Sequence, residues 1–135
     1  MSAAWDLQKG IYEALSGDAT LIGLLGGASI FDRVPQDAGF PYVTLGQTLD
    51  RDWSTGSEDG REHILTFHVF SRSGGTKQTQ AVIAAIDDAL KAAPIAIPGH
   101  ALVNLRFEFA DARRDPDGET MHGILRYRAV TEPVN

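Results

Sequence analysis

Four histidines, eighteen carboxylates and two glycine pairs are the groups with which this chain could do chemistry, and their spacing assembles no site. His63 and His68 are five apart in a strand-patterned segment, so they point to opposite faces and cannot share a metal ion. His100 and His122 stand alone, and neither His-x-His nor His-x-x-x-His occurs. Surface or sheet-packing histidines fit this pattern better than ligands. Asp50 and Asp52 share a strand face, and Asp115 and Asp117 share a turn; both pairs read as solvated acidic loops rather than acid/base pairs. Asp87-Asp88 sits late on a helix, where negative charge opposes the dipole; it marks an outward contact or nothing. Gly26-Gly27 follows a helix, not a strand, and lacks the Gly-Lys-Ser/Thr ending of a phosphate loop, so it reads as a helix C-cap. No Gly-x-Ser-x-Gly elbow is present. Catalytic, cofactor-binding and metal residues are therefore expected to be none, and no enzyme is expected.

Composition narrows the class further. A chain of 135 residues, 43% hydrophobic and 22% charged, is expected to be one ordered domain spanning 1–135. It has no cysteine, which excludes disulfides, thiolate catalysis and cysteine zinc sites. The start, Met-Ser-Ala-Ala-Trp-Asp, has neither a basic nor an apolar signal region, so no signal peptide is expected. No apolar run approaches the ~20 residues of a membrane span, and no membrane partner is expected. The net charge of −6 disfavours tight DNA binding, although DNA could still pass an acidic surface. Arginine outnumbers lysine nine to three. That suits charge pairs buried in interfaces, and equally a GC-rich genome.

The elements that must position these groups follow from periodicity. Leu7, Ile11 and Leu15 form one stripe on a helix from Ala3 to Leu15, flanked by Trp5 and Tyr12. Gly10 weakens that helix by about 1 kcal/mol relative to Ala. Asp18 caps a short second helix through Leu25. A short strand is expected over Ile30 to Val34, then a loop bracketed by Pro35 and Pro41. Two long strands, Tyr42 to Trp53 and Arg61 to Arg72, pair antiparallel, with Val43, Leu45 and Leu49 on one face of the first and Leu65, Phe67 and Val69 on one face of the second. A helix from Thr76 to Ala93 carries Val82, Ile83, Ile86, Ala89 and Leu90. Asp115-Pro116-Asp117-Gly118 reads as a type I turn closed by a glycine bulge. Pairing Asp115 with Glu119 would set Phe109 against Leu125, Phe107 against Tyr127 and Leu105 against Ala129 on the core side, with Glu108 opposite Arg126 and Arg106 opposite Arg128. The expected fold class is α+β: a mainly antiparallel sheet with one long helix packed on it and an N-terminal helical cap.

One order of segments points beyond fold class. Asp18-Ala-Thr-Leu-Ile-Gly-Leu-Leu-Gly-Gly27 is followed by Ile30-Phe-Asp-Arg-Val-Pro35 and Phe40-Pro-Tyr-Val-Thr-Leu-Gly46. Asp50-Arg-Asp-Trp-Ser54 and Arg61-Glu-His-Ile-Leu-Thr-Phe-His-Val-Phe-Ser-Arg72 come next. In this order and spacing the chain resembles the tail-completion, or tail-terminator, proteins of long-tailed phages and phage-derived gene transfer agents. The resemblance runs through the final Arg126-Tyr-Arg-Ala-Val-Thr131. It implies a virion structural protein, assembled in the bacterial cytoplasm, that forms a homo-hexameric ring at the neck-proximal end of the tail. Such a ring caps the tail tube, stops its polymerisation and joins it to the head-side connector. The implied partners are other copies of the chain, the major tail tube protein and the head-tail connector or adaptor protein, with DNA only passing through the channel. It implies no catalytic residue and no cofactor. A head-completion or connector ring of the same particle is the neighbouring alternative; a small ligand-binding domain is a more distant one.

Interface residues are sought in the segment joining the two long strands. Ser54 to Gly60 is polar, glycine-containing and too long for a tight turn. Trp53 stands at its base, read as an exposed anchor in preference to a buried cap on the sheet end. Asp50, Arg51, Asp52, Trp53, Glu58, Asp59, Arg61 and Glu62 are the candidate contact residues, a mixed-charge set suited to register and specificity.

Overall fold

The computed structural model describes residues 2–92 and 94–134. Helix α1, Ala3–Ser16, begins where the Ser2 hydroxyl accepts the Trp5 amide, and it buries Leu7, Ile11 and Leu15. Gly10 has a packing reason: a Cβ there would lie 2.8 Å from Ile95 Cγ2 and 3.1 Å from the Ala96 carbonyl oxygen. Helix α2, Ala19–Leu25, starts on the Asp18 carboxylate, which accepts the Leu21 amide at 2.9 Å, and ends at Gly26 in the left-handed region, φ 74°.

Five strands form one sheet in the order β1-β2-β3-β5-β4. They are β1 (Ile30–Phe31), β2 (Tyr42–Asp52), β3 (Arg61–Ser71), β4 (His100–Arg114) and β5 (Met121–Pro133). All pairings are antiparallel except β1 with β2, so the sheet is mixed. Strand β1 is shorter than the expected Ile30 to Val34, because the chain turns away after Phe31 and leaves Val34 exposed. Helix α3, Lys77–Ala92, lies against the sheet through Val82, Ile83, Ile86, Ala89 and Leu90, with Thr79 and Ala85 also buried. Its expected end at Ala93 lies outside the described residues. Helices and sheet share one apolar core, in which Val43, Leu45, Leu65, Phe67, Val69, Leu125, Tyr127 and Ala129 meet the helical stripes. Among the described residues, no helix packs on the opposite face of β2, β3, β5 and β4.

Bulges alter two expected registers. In β2, Leu45 pairs Phe67 but Thr48 pairs Leu65, so one extra residue is inserted around Gly46 and Gln47. The insertion turns Leu49 off the face of Val43 and Leu45 and leaves it 53% exposed, contrary to the regular alternation expected for this strand. A Cβ on Gly46 would lie 2.7 Å from the His68 ring and 3.0 Å from the Thr66 carbonyl oxygen, which is the local demand for glycine.

The β4–β5 hairpin turns at Asp115-Pro116-Asp117-Gly118, where the Gly118 amide donates to Asp115 and φ of Gly118 is +75°. The Asp115 amide, however, donates to Thr120 rather than Glu119, because Asp117 draws the Glu119 and Thr120 amides onto its own carboxylate. This extra turn residue is cancelled by a bulge between Phe107 and Phe109. Phe107↔Tyr127, Leu105↔Ala129 and Arg106↔Arg128 pair as expected. Phe109 instead opposes Arg126 and Ala110 opposes Leu125, leaving Glu108 in the bulge rather than across from Arg126. Strand β4 is an edge, and Phe107 and Phe109 remain 46% and 40% exposed there instead of joining the core.

Candidate assembly surface

The segment between β2 and β3 closes more tightly than its composition suggests. The Trp53 amide donates to Gly60, Thr55 to Glu58, and the Glu58 amide to the Thr55 hydroxyl. The Ser54 hydroxyl donates to Asp52 at 2.6 Å and accepts the Gly60 amide at 3.1 Å. The result is a short arm, hydrogen-bonded within itself, at the end of the two strands. These bonds from Ser54 hold the Asp52 carboxyl below its usual range.

The eight candidate contact residues separate into three groups. Asp50 and Asp52 are engaged within the chain. The Asp50 carboxylate meets His63 Nδ1 at 2.6 Å, and His63, fully buried, meets the Thr131 hydroxyl through Nε2 at 2.9 Å. Glu62 is only 3% exposed, because the guanidinium groups of Arg51 and Arg128 close over it. It lies under those two flat groups and not in the apolar core, which occupies the other face. Hydrogen bonds from Arg128 and then Arg51 hold its carboxyl below the ordinary range. Trp53, Glu58, Asp59 and Arg61 are exposed, with Trp53 at 52%. One face of the indole is covered by Arg128, 4.9 Å from the ring centre, so Trp53 is anchored at the arm base while still presenting apolar surface.

At the other end of the open face lies a cluster that spacing alone did not bring together. Phe40, Tyr42, Phe70 and His122 follow one another with ring centres 4.5–5.2 Å apart. His68 Nδ1 meets His122 Nε2 at 2.8 Å, and His122 Nδ1 lies 3.4 Å from Asp115. Burial, then the nearby His122, push the His68 pKa below its usual value. His68 and His122 are 54 residues apart, so only the β3–β5 register juxtaposes them. Among the described residues, no three or more histidine or carboxylate side chains are arranged to hold a metal ion. The hollow beneath the arm is lined by Trp53, Glu58, Val103, Arg128 and Val130.

Comparison with known proteins gives the family. A family model described as tail completion protein gp17 matches residues 9–132. The chain belongs to the gp17 tail-completion family. The tail completion protein gp17 of Bacillus phage SPP1 is 28% identical over 124 residues, covering 90% of this chain and 89% of its own. Among solved structures, a chain from the virion of a native gene transfer agent particle superposes with a TM-score of 0.88. It is 32% identical, with 97% of this chain and 98% of that chain covered. The solved bacteriophage SPP1 gp17 protein has a TM-score of 0.66 at 25% identity, with 98% and 91% covered. As a gp17-family member the protein is a structural tail-completion component located in the virion, not an enzyme.

Proposed function

We propose that six copies of this protein close into a ring that caps the tail tube and stops its polymerisation. The ring joins the tube to the head-side connector and leaves a central channel for DNA. The observation that carries the reading is the likeness, over nearly the whole chain, to a protein held within an assembled gene transfer agent particle. In this reading its partners, which are other copies, the tube protein and the connector, bind the surfaces already described. Those surfaces have the right composition. Leu49, Trp53 and Val103 are large, apolar and exposed toward the arm end of the sheet, and Phe107 and Phe109 are exposed along the middle of edge strand β4. In this reading Trp53, Glu58, Asp59 and Arg61 touch the neighbour or the tube directly. Asp50, Arg51, Asp52 and Glu62 hold the arm base in shape for them. The net charge of −6 lets DNA pass without sticking.

Particles produced without the protein test the proposal. Tubes should overgrow, and filled heads should remain unjoined. Tubes of normal length already joined to heads would reject it.

A further inference from the structure

We infer that the acidic tip of the arm of one copy docks on the arginine-bearing open end of the sheet of the next copy. The inference rests on the ring reading and names the two unlike surfaces that a closed head-to-tail ring requires.

The receiving surface departs in charge from the rest of the chain. On the helix-free face, Arg51, Arg106, Arg126 and Arg128 stand with three glutamates, Glu62, Glu108 and, at the arm end, Glu132. Glu132 lines one hollow with Arg128 and with the chain's own Glu58 and Asp59. The face is thus cationic although the whole chain carries −6. Glu62 is already shared by Arg51 and Arg128. Arg106 sits directly across from Arg128, a like-charge pair that weakens an isolated sheet. Arg106 and Arg126 have no carboxylate partner among the described residues. All three lysines lie on helices α1 and α3, so cationic charge on this face is wholly guanidinium. Guanidinium is the form that stacks on aromatic rings and forks onto carboxylates. Arg126 lies 5.0 Å over Phe109, beside a hollow of about 260 Å³ floored by Leu49, Ile64 and Thr66.

The arm supplies the complement. Glu58 and Asp59 are exposed, and neither forms an ion pair among the described residues. The internal hydrogen bonds of the arm fix the backbone that carries these side chains before contact, which lowers the ordering cost of binding. Two exposed carboxylates thus meet a net cationic surface on which Arg106 and Arg126 lack an ion-pair partner among the described residues, seated against exposed apolar side chains. The chemistry selects an acidic protein segment, and the segment that every neighbouring copy presents is this arm.

The chain has no cysteine, so paired cysteines report the contact cleanly. Particles are assembled from a mixture of Ser57→Cys and Thr66→Cys chains, and oxidised. A disulfide-linked heterodimer is expected from the mixture and not from either chain alone. In a second arm, Glu58→Arg with Asp59→Arg, or Arg106→Glu with Arg126→Glu, should each lower the yield of joined tails about tenfold or more, while combining all four restores it to within about twofold. Multimeric rings without the heterodimer and without charge-swap rescue would overturn the inference and leave the ring standing. A protein that stays monomeric even on tails would overturn both.

Discussion

The Tyr127 hydroxyl on β5 donates to the Asp87 carboxylate on α3 at 2.7 Å, tying the buried face of the sheet to the long helix. Asp87 also receives Lys91 at 2.7 Å, one turn further along. Burial alone would raise the Asp87 pKa, but Lys91 and Tyr127 outweigh it and the net shift is downward. Burial, then Asp87, raises the Tyr127 pKa far above its usual range, so this phenol remains a donor at ordinary pH. Tyr127→Phe keeps the ring and removes only the bond. It should cost about 1–2 kcal/mol, since a hydrogen bond to a charged acceptor is lost while Lys91 still serves Asp87. Urea unfolding of the two proteins measures the difference; equal midpoints would show that the bond contributes nothing.

Phe107→Ala should be much milder than truncation of a true core residue. The ring packs edge-on against Tyr127 at 5.7 Å but is nearly half exposed on edge strand β4. About 1–2 kcal/mol is expected, against about 2–5 kcal/mol for Leu125→Ala at a fully buried position. A larger loss at Phe107 than at Leu125 would contradict this placement of the two side chains.

How much of this was legible from sequence depended on whether a feature is local. Helix limits followed from Asp18 and Gly26, and the core stripes of α1 and α3 from their period. The Phe107–Tyr127 pairing was anticipated, but through compensation: the turn holds one residue more than expected and the Glu108 bulge absorbs it. Bulges carry almost no local signature, which is why regular alternation puts Leu49 and Phe109 on the wrong side. The glycine at 46 was the available hint, since a glycine inside a strand often marks a bulge. Of the candidate contact residues, sequence could not show that Glu62 is sealed under Arg51 and Arg128, because Arg128 is 66 residues away. The Asp87 partner and the His68–His122 contact were hidden for the same reason.

Acidification should weaken the fold in two separate windows. The His68 pKa is lowered in the folded chain, so the unfolded chain takes up the proton first. The stabilisation is complete above the ordinary value of 6.5 and is lost as pH falls through the lower folded value. His68→Asn should therefore shrink the loss of stability between about pH 7.5 and about pH 5.5. An undiminished loss in the variant would assign it to other groups. Asp117 acts lower, because the Thr120 amide and hydroxyl and the Glu119 amide hold its carboxyl at about 2. Its contribution is intact above the usual carboxylate range and fades as pH falls from about 4 to about 2.

Removing Thr55 to Asp59 should leave a folded protein that no longer completes tails. Asp52 and Arg61, the last ladder pair, would then be joined by Trp53, Ser54 and Gly60, a length that hairpins use. No core residue is lost. Circular dichroism and thermal melting check the fold, and the yield of joined particles checks the function. Normal yields would make the arm a surface loop without a partner.

The central claim is that this protein forms the ring at the junction of tail and head. Electron cryo-microscopy of isolated tails carrying the protein, with and without a small tag at Asn135, tests it most directly. The account predicts a closed ring of six tagged copies at the head-proximal end of the tube, with an open channel through it. Tag density at the opposite tip or along the tube, or an open assembly at the head-proximal end, would contradict it.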